Sequence, residues 1–427
     1  MKPKSEEFKT AMSIISKRIA DAKRRGTRSG FIDYHGCISV CRDFIEILEE
    51  TGKAADRGEF AYAYSVAALI HINTAKLAST ADDSAGGITD TKTYIDDLLE
   101  KVCSGVEYGS DEASYIFSQS LKDSQDKAFD GWAEFSYDLL RKTARLATED
   151  NVRDLFEVLD SLYSKLSEQP YSSWYVEPDA LTRLEAISAV RGEVEAAEFI
   201  KSHLDIDGIR EAAINQALAK RDFALAESLC LEKLSGIEQI HEYSSPSKWR
   251  YLLFDIYERS GDTEKKIAAA GALLFGFDTK YYAVLKRLLT EKGVWEQEYP
   301  GLLVGLGQSL PYHKFMDILS KEGETSMLLE ETRKHPSSVF TYGKQLSADY
   351  PNETFGICLD EIRKQADEAD NRTKYKKVCG NIKKLFEYGG VAETDAIIPE
   401  LKGIYPRRPA LLEELDSLRL KLAKKRK

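Results

Sequence analysis

The chain has 427 residues, 43% of them apolar and 31% charged, with a net charge of −11. It contains no uncharged apolar run of the length that crosses a bilayer, which excludes a membrane-spanning helix, and its acid excess argues against nucleic-acid binding over the whole surface. The opening MKPKSEEFKTAMSII has no apolar signal core and no small-residue cleavage site, so the expected location is the cytoplasm.

In chain order, the first expected element is a basic helix. Residues 1–30 hold nine Lys/Arg against three Asp/Glu, and Lys17, Arg18, Lys23, Arg24, Arg25 and Arg28 cluster on and just after it. Such a cluster can release counterions from phosphates or offer Arg forks to an acidic protein. No aromatic residues are interleaved with it, as they are in single-strand readers. The default for such an end is a solvated basic surface.

FIDYHGCISVCRDFIEILEETG (31–52), EFAYAYSVAALIHINTAKLAS (59–79) and TKTYIDDLLEKVCSG (91–105) follow. Each carries apolar residues at three- and four-residue steps, and each is predicted to be one amphipathic helix. His35, Cys37 and Cys41 fall within seven residues, with only His71 and Cys103 as further ligand candidates nearby, so buried thiols are expected rather than a metal site. The six cysteines are too scattered for a disulfide framework. ADDSAGGITD (81–90) gathers Asp82, Asp83, Ser84 and Asp90 around two glycines, without the acidic spacing or closing glutamate of a calcium loop. Thr89 or Asp90 is expected to cap a helix beginning near Thr91.

SEQPYSSWYVEPDALTR (167–183) interrupts the helical pattern with Pro170 and Pro178. It suggests a boundary between an N-terminal helical domain (1–168) and a repeat array with a terminal capping helix (180–427).

Along that second part a turn recurs at Gly192, Asp222, Asp262, Gly293, Gly323, Asn352 and Gly390, at intervals of 29 to 40 residues. Two short helices and two turns need that many residues, the period of tetratricopeptide and HEAT units. KWRYLLFDIYERSGDTEKKIAAAGALLF (248–275) fits best, with Trp249, Leu252 and Tyr257 on the first helix and KKIAAAGALLF as the second. The predicted fold is all-α, an α-solenoid of irregular, tetratricopeptide-like helix-turn-helix repeats. No hairpin covers its own apolar surface; neighbours must supply it, at roughly 1.5–3 kcal/mol per large side chain buried.

The chain closes on YPRRPALLEELDSLRLKL (405–422) and a basic tail, Lys424, Lys425, Arg426 and Lys427. Pro406 and Pro409 hold Arg407 and Arg408 in a non-helical entry. The pair either faces an anionic ligand or protein, or joins acidic residues of preceding helices and locks the terminal cap.

GFIDYHGCISVCRDFIEILEETG (30–52), followed by LASTADDSAGGITDTKTYIDDLLEKVC (77–103), resembles the helical region that follows the zinc finger in bacterial SWIM zinc-finger proteins. YPRRPALLEELDSLRLKL is similar to the closing helix of that region. The resemblance implies the helical scaffold and an association with DNA-handling ATPase machinery. It does not extend to zinc, because the finger needs Cys-x-Cys followed by Cys-x-His and neither occurs in this sequence.

No nucleophile elbow, phosphate loop or His-Glu-x-x-His is present. The expectation is a non-enzyme, without cofactor or metal, that binds another protein through the first helices of successive pairs. Tyr62, Tyr64, Trp174, Tyr175, Trp249, Tyr251, Tyr281 and Tyr282 are the candidate anchors, and core packing is the competing role for each. The alternative is an accessory nucleic-acid-binding subunit acting through Lys23, Arg24, Arg25 and Arg28 and through Lys424, Lys425, Arg426 and Lys427.

Overall fold

Residues 3, 5–28, 30–167, 171–238 and 248–425 are described by the structure, a computed structural model. The chain divides into two compact units, Met1–Glu232 and Lys233–Lys427. The segment 167–183 therefore lies inside the first unit instead of between domains; Pro170 itself falls outside the described residues. Pro178 sits in the first turn of a helix, where its missing N–H costs nothing, so it starts an element and ends none.

The first unit opens with α1 (Glu6–Gly26), capped by Ser5, whose hydroxyl accepts from Phe8 N at 3.1 Å. A two-residue hairpin, β1 (Thr27–Arg28) and β2 (Phe31–Ile32), turns at Gly30 with φ 84°. Then come α2 (Tyr34–Asp56), α3 (Phe60–Ala78), α4 (Gly87–Gly105), α5 (Asp111–Asp123), α6 (Ala133–Thr143), α7 (Val152–Ser167), α8 (Val176–Ser202), α9 (Asp207–Ala219) and α10 (Phe223–Glu238). α10 begins in this unit and ends in the next.

Helix α3 organises the unit because it is apolar on nearly every side. Ala61, Ala63, Tyr64, Val66, Ala67, Ala68, Ile70, His71, Thr74, Ala75 and Leu77 are all buried. A helix without a polar face must be surrounded. It is packed by α1, α2, α4, α5 and α6, and its many alanines let these neighbours approach. Where α1 meets α2, a Cβ on Gly36 would overlap the Gly26 carbonyl oxygen, so only glycine fits that crossing.

The expected start of α4 is corrected. The helix begins at Gly87, not near Thr91; its N-cap residue is Gly86, and the side-chain acceptor for its first turn is Asp83, whose Oδ1 accepts from Ile88 N at 3.0 Å. Gly86, at φ 77°, lets the chain fold back so that this carboxylate reaches the helix end.

The second unit reads as hairpins: α11 (Lys248–Ser260) with α12 (Thr263–Phe275), α13 (Tyr281–Glu291) with α14 (Trp295–Ser309), α15 (Tyr312–Glu322) with α16 (Thr325–Lys334), α17 (Val339–Asp349) with α18 (Pro351–Glu368), and α19 (Arg372–Glu387) with α20 (Val391–Ile404). α21 (Pro409–Lys425) follows. Four of the five intra-hairpin turns use a left-handed glycine: Gly261 (φ 75°), Gly293 (77°), Gly323 (78°) and Gly389 (103°). The α17–α18 turn instead starts its second helix with Pro351.

Packing runs in chain order. α17 meets α18 and α19, α18 meets α19 and α20, and α19 meets α20 and α21. Among the described residues, one apolar core runs over α12–α17 and another over α17–α21, with α17 giving Leu346 to the first and Val339 and Phe340 to the second. The chain is all-α, and its second unit is an α-solenoid of irregular helix-turn-helix repeats. No helix of the described residues is long and apolar enough to cross a membrane.

Candidate protein-interaction surface

The eight candidate aromatics separate by what holds them. Tyr64 is fully buried on α3 and its hydroxyl donates to Asp123 Oδ2 at 3.0 Å. Trp249 is 1% exposed, and Tyr282 is buried with its ring edge-on to Trp295 at 6.2 Å. Tyr62 is half-buried against the edge of Phe8, and Tyr175 stacks on Tyr137. These five fill cores.

Of the other three, Trp174 and Tyr251 reach solvent, and Tyr281 is half-buried against the apolar core. Trp174 is 69% exposed and stacks on Tyr171 at 4.8 Å. Tyr251 on α11 and Tyr281 on α13 come within 6.1 Å, and Tyr281 also abuts Phe254 at 5.1 Å, so an aromatic ledge bridges two consecutive first helices. Asp278, in the loop that joins the hairpins, accepts from the Tyr251 hydroxyl at 3.0 Å and fixes the ring. Tyr251 remains 39% exposed. A rigid, amphipathic ring with few rotamers to lose is the kind of side chain that anchors an interface.

The sequence missed a third aromatic station. Tyr312, 46% exposed at the start of α15, stacks on His335 at 3.9 Å, and His335 comes from the far end of α16. No local spacing links residues so far apart.

The basic clusters are largely spent within the chain. Arg18 grips Glu50 with both guanidinium nitrogens, at 2.5 and 3.1 Å. Arg24 pairs with Asp21 at 3.0 Å, Arg25 with Asp43 at 2.7 Å, and Arg28 lies 3.8 Å from Asp33. Lys23 donates to Asn73 Oδ1 at 3.2 Å, and burial lowers its pKa. Lys424 is exposed at the end of α21; the side chain of Lys425, with Arg426 and Lys427, lies outside the described residues.

Arg408 ties the entry of α21 to a preceding helix, though not through the acidic residues expected. Its guanidinium donates to the carbonyls of Ala366 at 2.7 Å and Ala369 at 3.0 Å, the bare end of α18, and lies over the Tyr405 ring at 4.2 Å. Backbone oxygens, not carboxylates, receive it. Arg407 is exposed beside it.

Cys37 and Cys41 face one another with 4.0 Å between sulfurs, and Asp83 Oδ1 lies 3.7 Å from Cys37. Burial pushes the Cys37 thiol up to about 12. All six cysteines are buried and reduced. Among the described residues no group of three or more His, Cys, Asp or Glu is placed to hold a metal ion.

Comparison with family models, with curated proteins and with solved structures gives no match. Fold and surface together define a helical-repeat protein in which Trp174, Tyr251 and Tyr312 are exposed aromatics.

Proposed function

We propose that the protein is a non-catalytic helical-repeat scaffold of the cytoplasm that binds another protein. The observation that carries this reading is the ledge of Tyr251 and Tyr281. Exposed Tyr251 and half-buried Tyr281, from successive repeats, meet there, and Tyr251 is fixed by a hydrogen bond to Asp278. Rings held in place before binding lose little entropy on docking, and hairpin arrays present extended surfaces of this type. The resemblance to the helical region of SWIM zinc-finger proteins supports a place beside DNA-handling ATPase machinery, as a scaffold without the finger.

The test is capture of partners from the source cell at physiological salt by the intact chain and by the double variant Tyr251→Ala, Tyr281→Ala. A defined partner held by the first and lost by the folded second supports the reading. A folded chain that recovers nothing, or recovers the same set in both forms, overturns it. The nucleic-acid alternative draws less support, because Arg18, Arg24 and Arg25 already neutralise carboxylates of their own unit.

A further inference from the structure

Helix α14 is built from poor helix formers. Pro300, Gly301, Gly305 and Gly307 fall within its fifteen residues, Trp295 to Ser309. Two of the glycines serve packing, since a Cβ on Gly305 would press the Phe275 ring at 3.2 Å and one on Gly307 the Phe315 ring at 3.1 Å. Gly301 has no such neighbour; a Cβ there meets nothing within 4 Å. Pro300 lies beyond the first turn, so it withholds an N–H from the Glu296 carbonyl and crowds that oxygen with its ring. Proline and glycine are the two weakest helix formers, and here they are adjacent and exposed.

Packing divides α14 at the same place. Before Pro300 none of its residues is buried. That half is held by aromatic and polar contacts: Trp295 takes the edge of Tyr282 at 6.2 Å and lies 5.3 Å from Lys286 Nζ, and the Tyr299 hydroxyl donates to Glu324 Oε1 at 3.0 Å. After Gly301 the anchors are apolar, with Leu303 and Leu306 buried and Phe275 and Phe315 seated on the two glycines. Each half is thus clamped to different neighbours, and Pro300 and Gly301 stand between the clamps. Pro399, inside α20, has no such setting. Thr394, Ile397 and Ile398 are buried before it, Leu401 after it, and the next residue is Glu400.

We propose that α14 is a hinge within the array, bending at Pro300 and Gly301 and thereby changing the spacing between the Tyr251–Tyr281 ledge on one side and Tyr312 on the other. Sharp helix bends concentrate at proline, and hinge motion is absorbed by a few residues. The ledge belongs to α11 and α13 and Tyr312 to α15, so α14 lies between the two stations in chain order. One ion pair spans the bend directly, Lys286 on α13 with Glu322 on α15 at 2.6 Å, and fixes the angle seen here. The bend stands on the composition and packing of α14 alone; its use in fitting the surface to a partner rests on the scaffold reading above.

The test uses the full chain. Amide exchange at residues 297–304 is expected to run roughly tenfold or more faster than at 396–403, the matching stretch around the packed Pro399. Pro300→Ala with Gly301→Ala is expected to remove that excess with helical content retained. Spin labels on Arg259→Cys and Lys364→Cys lie on either side of α14 in the chain, and labels on Lys321→Cys and Lys377→Cys both lie after it; all four sites are exposed, and the native thiols are buried. The first pair is expected to give the broader distance distribution, narrowed by the double substitution and widened by Lys286→Ala. Equal exchange at the two prolines, equal widths for the two pairs, or a double variant that leaves both readings unchanged overturns the proposal. If the widths are equal while a partner is captured through Tyr251 and Tyr281, the hinge falls and the scaffold stands. If the hinge is seen and that capture fails, the scaffold reading falls and the hinge remains.

Discussion

His71 sits on α3 with 1% of its surface exposed, its ring against Phe129 and Phe135. Its Nε2 donates to the Phe135 carbonyl at 2.8 Å, which leaves Nδ1 as the bare lone pair, without a partner among the described residues. Burial disfavours the imidazolium and lowers the pKa from 6.5 to about 4, against the opposing pull of the Phe135 carbonyl and then of Asp138, and with a small push from Lys92. Between these two values the unfolded chain takes up a proton that the folded chain refuses. Stability from this group is therefore complete above pH 6.5 and is lost as pH falls through about 4, a change on the order of 3 kcal/mol. His71→Gln keeps a donor for Phe135 and carries no such proton, so its urea midpoint is expected to vary less with pH across this window than that of the native chain. Parallel profiles would show that another group sets the dependence. On the same helix, Tyr64→Phe strips half-buried Asp123 of one donor and leaves Gln119 Nε2, at 2.9 Å, as its remaining side-chain donor among the described residues. A loss of about 1–3 kcal/mol in equilibrium unfolding is expected.

At the scale of elements, turns decide what the sequence shows and what it hides. Gly293 and Gly323 mark hairpin turns because a left-handed residue without Cβ is cheap there, and composition reveals that directly. Asp262 was legible for a second reason, since its side chain accepts from Lys265 N at 3.0 Å and caps α12. Arg408 was not legible. Its acceptors are backbone carbonyls of Ala366 and Ala369, about forty residues away, and a carbonyl carries no residue identity that a sequence can display. Tyr64, Trp249 and Tyr282 were hard to separate from Tyr251 for a related reason, since all have helical spacing and only neighbours decide which face is covered.

These element-level contacts carry two further expectations. Arg408→Ala leaves the end of α18 without its donors, and Arg408→Lys cannot restore the fork, so both are expected to destabilise the second unit by about 1.5–3 kcal/mol in chemical denaturation. Equal stability of the lysine variant and the native chain would mean that one point charge suffices. Gly192 and Gly356 form an opposed pair. Gly192 breaks α8 with φ 79° and ψ −174°, a region open only to glycine, so Gly192→Ala is expected to cost about 1–3 kcal/mol. Gly356 is exposed within α18 and a Cβ there meets nothing within 4 Å, so Gly356→Ala is expected to stabilise by about 0.5–1 kcal/mol. Melting temperatures that move the same way in both variants would contradict the assigned conformations.

At the scale of the whole chain, the two units bury their apolar residues by different plans. The first wraps α1, α2, α4, α5 and α6 around α3 in a cluster that extends from Ile15 to Ala186, and carries a smaller separate cluster of Ala180, Leu184, Ala196 and Ile209 on α8 and α9. The second passes its core from hairpin to hairpin, with α17 as the shared element. A wrapped core unfolds as one body, whereas stability in a stacked array is a sum over repeats and the joints between neighbours. Removing α21 separates these behaviours. Its four buried leucines cover α19 and α20, and truncation after Ile404 bares that surface. Amide exchange is then expected to accelerate most in α19 and α20, less in α17 and α18, and hardly at all in α11 to α14, while α3 keeps its protection. Each hairpin loses only what its immediate neighbour supplied, so the effect must decay along the array. A uniform acceleration from α11 to α20 would mean that the second unit holds a single cooperative core, and the repeat-by-repeat account of its stability would fail.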